Sequence, residues 1–167
     1  MSWDLRIECH EVIRFEDFAS ETANAVQRLL GVRIDPKDIV LESSPGVPNG
    51  KHPPSIIGGV DDEWLLGLSR VHASFSLLSF GLKDRYRGFS VELPVGHSPA
   101  GFALAAAAAA ALAKLQGSPI LDDAQRWTQT CEQFWEEFLA AIAAGTHKAK
   151  VAAAVTELET RDHAFGK

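Results

Sequence analysis

The sequence predicts an α+β fold, a single-domain antiparallel or mixed sheet of four to six strands with three main helices packed mainly on one face. Three observations predict it. Residues 3–10 alternate apolar and polar, with Trp3, Leu5, Ile7 and Cys9 on one side and Asp4, Arg6, Glu8 and His10 on the other, the period of a strand with one wet face. Phe89, Val91 and Leu93 repeat that alternation late in the chain. Between and after these strands lie three segments with helical spacing and their own start and stop residues. The length of 167 residues, with 46% hydrophobic and 23% charged, suits one domain that buries a core without metal or disulfide staples.

After the first strand, Phe18, Thr22, Val26, Leu29 and Leu30 recur at steps of three and four and Gly31 follows, which predicts a helix over 17–30. Residues 38–42 form a short apolar run bounded by Pro36 and by Ser43-Ser44-Pro45, a second strand. Residues 43–59 hold four prolines and four glycines in 17 positions and read as a long loop. The stretch 63–82 fits a helical stripe and a strand alternation about equally. Its serines, Gly67 and Gly81 favour strands, and Lys83-Asp84-Arg85 supplies a turn, so 71–80 pairs with 86–94 as a hairpin.

The next boundaries are sharper. Ser98 is a good N-cap, Pro99 suits the first helical position and Gly117 a C-terminal stop. The helix between them, 99–116, contains ten alanines, seven of them consecutive. Small side chains all round let it lie against a sheet and be covered on its other side, which makes it the central helix. Its most apolar stretch, 99–113, spans 15 residues, short of the ~20 strongly apolar residues of a membrane span. Residues 118–121 are extended. Asp122 or Asp123 then caps a third helix over 124–143, with Trp127, Cys131, Phe134, Trp135, Phe138, Leu139 and Ile142 as its apolar stripe. Residues 147–160 add a weakly amphipathic helix before a polar C-terminal tail.

Little in the chain points to catalysis. No two of the six histidines stand at the three- or four-residue spacing of a helical metal pair, so no metal and no cofactor is expected. Cys9 and Cys131 fall on apolar sides of their elements, as buried thiols do. Gly46, Gly50, Gly58 and Gly59 form neither a dinucleotide fingerprint nor a phosphate loop. The opening MSWDLRIECHE lacks the basic start and apolar run of a secretory signal, which leads to the expectation of a cytoplasmic protein.

Charge carries more. Against 16 Lys and Arg stand 22 Asp and Glu, a net charge of −6, the wrong sign for a nucleic-acid or anionic-membrane binder. Acids concentrate in 1–22 and in 120–140, while Lys83, Arg85 and Arg87 form the one local basic cluster. Candidate partner-binding residues are Glu132, Glu136 and Glu137, opposite the apolar stripe of the third helix. Asp61, Asp62 and Glu63 beside Trp64 are the second set, with the indole as a possible aromatic anchor. Both sets also have a plain reading, as helix-dipole partners and as a solvated face.

The segment Glu92-Leu93-Pro94-Val95, then Ser98-Pro99, the alanine helix, Gly117, Ile120-Leu121-Asp122-Asp123 and Trp127 resembles a pattern found in small bacterial α+β proteins. Several of these are immunity proteins of polymorphic toxin systems, including contact-dependent inhibition and type VI secretion. The resemblance spans roughly 86–143, about a third of the chain, and carries no site residue across. It implies a non-enzymatic protein that neutralises a cognate toxin by direct binding, and an acidic chain suits a basic toxin. The alternative expectation is a small enzyme with a carboxylate or His52 site near the 43–59 loop.

Overall fold

The computed structural model describes residues 3–43, 55–58, 62–68, 71–83, 86–93, 98–122, 127–145 and 147–165. The architecture is α+β. Strand β1 (Trp3–Glu8) and the short β2 (Ile13–Arg14) lead into helix α1 (Phe15–Leu30), followed by β3 (Ile39–Ser43), β4 (Ile56–Ile57), β5 (Asp62–Leu68), β6 (Val71–Lys83) and β7 (Tyr86–Leu93). Helix α2 (Pro99–Gln116), strands β8 (Ile120–Asp122) and β9 (Trp127–Gln129), and helices α3 (Cys131–Ala143) and α4 (Lys148–Phe165) complete the chain.

The main sheet has seven strands in the order β3-β5-β6-β7-β1-β8-β9, wider than the four to six expected. Every neighbouring pair in it is antiparallel. Register puts Leu5 opposite Val91 and Ile7 opposite Phe89 on the covered face. Leu41 opposite Leu66 and Ile39 opposite Leu68 extend that face toward the other edge, and all eight of these side chains are buried. Alternate residues Arg6 and Glu8 are exposed, as a sheet wet on one side requires.

Helix α2 is buried from Ala100 to Ala113 without a break. It packs on β1, β6, β7 and β8 and is covered in turn by α1, α3 and α4. Methyl side chains make this possible, because they let backbone approach backbone on all sides of one helix. Its limits are those expected: the Ser98 hydroxyl accepts from the Gly101 amide at 3.0 Å, and Gly117 closes the other end at φ +62°. By length and composition α2 could cross a membrane, yet 83% of its apolar window is buried inside the fold. Gln116 fastens its last turn to the chain leaving β1: Oε1 accepts from the His10 amide at 2.7 Å and the Glu11 amide at 3.1 Å, and Nε2 donates to the Glu11 carbonyl at 2.8 Å.

Four details differ from the sequence expectation. Helix α3 begins at Cys131 rather than near 124, because Thr130 and Gln133 form a capping box that fixes the start there. Trp127 lies on β9, paired with Asp122 of β8, and its ring stands 6.3 Å from that of Phe134 on the helix. Asp122 is a fully buried strand residue whose register partner is Leu5, so it does not cap a helix. Within the Pro/Gly-rich stretch, Ile56–Ile57 pairs with Ile13–Arg14 as a second small sheet. Residues 44–54 and 59 of that stretch, His52 among them, lie outside the described residues.

Candidate functional site

Helix α3 divides its faces by chemistry. Phe134, Trp135 and Phe138 are buried, and the rings of Phe134 and Phe138 stack with centroids 5.5 Å apart. Phe102 of α2 stacks on Phe138 from below at 5.8 Å, tying the helix to the centre of the fold. With this side committed to the core, Glu132, Glu136 and Glu137 stand exposed on the other. The helix contains no Lys, Arg or His. Only Glu132 is in the first turn, where the helix dipole favours an acid. Glu136 gains nothing from the dipole and stands four residues from Glu132, a like-charge spacing that costs a helix ~0.2–0.5 kcal/mol. The Gln129 side-chain amide donates to the Glu137 carboxylate and holds it beside β9.

The second predicted set is not assembled in the same way. Asp62 and Glu63 open strand β5, with Phe80 and Ser79 of β6 as their register partners. Asp61 lies outside the described residues. Trp64 is 2% exposed and sits in the core, so the expected aromatic anchor is withdrawn from the surface. The reason is alternation: Trp64, Leu66 and Leu68 share the covered face of β5, and the two leucines are buried with it.

Two features were not foreseen from the sequence. On the open face of the sheet Asp4 stands directly opposite Glu92, and the Ser90 hydroxyl donates to Asp4 at 2.9 Å while Arg6 pairs with Asp4 at 3.7 Å. The other is a groove of about 560 Å³ between α1, the end of α2 and the start of α3, lined in part by Arg28, Lys114, Ser118, Cys131 and Glu132. Cys131 donates to the Ala110 carbonyl at 3.4 Å, and burial pushes its thiol above the ordinary value of 9.0. It is therefore a neutral thiol at pH 7, not an activated nucleophile. Signals for the groove were absent because its residues come from three helices separated in sequence.

Cys9 and Cys131 are both free thiols. Among the described residues no three His, Cys, Asp or Glu side chains come together as a metal-binding group. Comparison with protein-family models, with curated proteins and with solved structures finds no match.

Proposed function

We propose that the chain is a non-enzymatic, cytoplasmic protein-binding domain, an immunity protein that neutralises a basic bacterial toxin by direct contact. The observation that carries this reading is the outer face of α3. Glu132, Glu136 and Glu137 are exposed together on a helix without a cation. Two of the three lie beyond the turn where the helix dipole would favour them, so local stability does not account for them. A rigid base suits recognition: the aromatic side of the same helix is locked into the core, so the carboxylates are presented with little ordering cost. Single-sign charge on such a face accelerates encounter with a basic partner and disfavours acidic ones.

The test is protection in cells. If the adjacent reading frame ends in a basic toxic domain, co-expression of the chain with that domain should restore growth, and the two should co-purify. Glu132→Lys with Glu136→Lys should abolish protection while the variant remains folded by circular dichroism. Growth arrest despite abundant folded wild-type chain would remove the immunity reading.

A further inference from the structure

The groove between α1, α2 and α3 has a chemical character that the partner-binding reading touches only through Glu132. Its volume of about 560 Å³ lies in the range of small-molecule sites. Ala25, Ala110 and Ala111 make an apolar floor, and all three are buried. Ser118, at the end of that floor, is 4% exposed, and its buried hydroxyl has no hydrogen-bond partner.

The rim carries four charges that sum to zero. Lys114 and Glu21 close on one another at 2.8 Å. Arg28, from α1, lies over the Trp135 ring at 5.0 Å, and among the described residues no carboxylate pairs with it. Stacking uses the face of a guanidinium and leaves its in-plane N–H donors free for a carboxylate. Glu132, from α3, likewise has no cation paired with it among the described residues. Arg28, Cys131 and Glu132 all line this groove, so the two unpaired charges face a common space.

We propose that this groove binds a small zwitterion with an apolar body, of which a free hydrophobic amino acid is the simplest form. Its carboxylate meets Arg28, its ammonium meets Glu132, and its side chain lies over the alanine floor. A net anion or cation is disfavoured, since one of the two unpaired rim charges then repels it. The inference does not depend on the toxin partner.

The probe is L-phenylalanine, titrated at millimolar concentrations into the full chain and followed by amide chemical shifts. Saturable shifts are expected in residues 110–118 and 130–135. N-Acetyl-L-phenylalanine, which lacks the ammonium, and L-phenylalaninamide, which lacks the carboxylate, should each bind about tenfold more weakly. Arg28→Gln should erase the preference for the free acid over the amide, and Glu132→Gln the preference for the free amine over the acetylated form. Both positions are exposed, so only small changes in thermal melting are expected of the two variants. Absence of saturable shifts at these residues, or equal binding of all three compounds, would overturn the proposal.

Discussion

The side chain of Gln116 grips the backbone of Glu11 from both sides, accepting from its amide at 3.1 Å and donating to its carbonyl at 2.8 Å. The same oxygen also takes the His10 amide at 2.7 Å. One buried amide thus satisfies three backbone groups where the chain leaves β1, and couples the sheet to the end of the central helix. Gln116→Ala orphans those groups and should cost about 1–3 kcal/mol, read as a lower urea midpoint at unchanged slope. Unaltered stability would mean that water replaces the amide without loss.

Phe134 is the keystone of the α3 aromatic side, in ring contact with Trp127, Trp135 and Phe138. Phe134→Ala should destabilise by ~3–5 kcal/mol through lost burial and the cavity left behind. An unchanged denaturation midpoint would place this side of the helix outward.

Gly58 holds φ +89°, and a Cβ there would meet the Cys9 sulfur and Phe89 Cζ at 3.0 Å each. Cys9 and Phe89 are core residues with little room to yield. Gly58→Ala therefore combines backbone strain with a clash and should cost about 1–3 kcal/mol in chemical denaturation. A variant as stable as the parent would show that β4 and its surroundings shift freely.

His147, between α3 and α4, rests against the rings of Phe102 and Phe138 at 5.0 and 5.9 Å. Desolvation, and secondly the Lys150 charge, lower its pKa below the ordinary 6.5. The unfolded chain then binds the proton more tightly. This contribution to stability is complete above 6.5 and declines as pH falls from there toward the lower folded value. Cys131 acts at the alkaline end: with its thiol raised above 9.0, stability falls as pH rises past that point. Urea midpoints at about pH 7.5 and about pH 5.5 should differ less in His147→Asn than in the parent; asparagine tolerates the left-handed φ of 60° found there. Equal pH dependence in both proteins would discount the histidine.

Where the sequence was legible, local chemistry and tertiary packing agreed. Ser98, Pro99 and Gly117 mark α2 because cap and turn preferences act within a few residues. The alternation of Leu5, Ile7 and Cys9 shows the buried face of β1 because the pleat has a period of two. Residues 122–130 misled because Trp127 stands four positions before Cys131, a helical spacing that a strand running into a capped helix reproduces when its ring folds over the next turn. Trp64 misled for a different reason: acids precede it in sequence, but alternation along β5 sends its ring inward. Glu132, Glu136 and Glu137 were readable as an exposed set from the helix period alone. The groove was not, since Arg28, Ser118 and Cys131 meet only through the packing of α1 and α3 around α2.

On the proposed reading, the acidic face of α3 steers a basic partner onto this fold. If the adjacent reading frame ends in a basic toxic domain, association rates with that domain, measured from low to physiological salt, decide the matter. The parent chain should bind fastest at low salt and slow steeply as salt rises. Glu132→Lys with Glu136→Lys should bind at least tenfold more slowly and lose most of that salt dependence, with its unfolding transition nearly intact. Association of the charge-reversed variant at the parent rate and with the parent salt dependence would contradict the account.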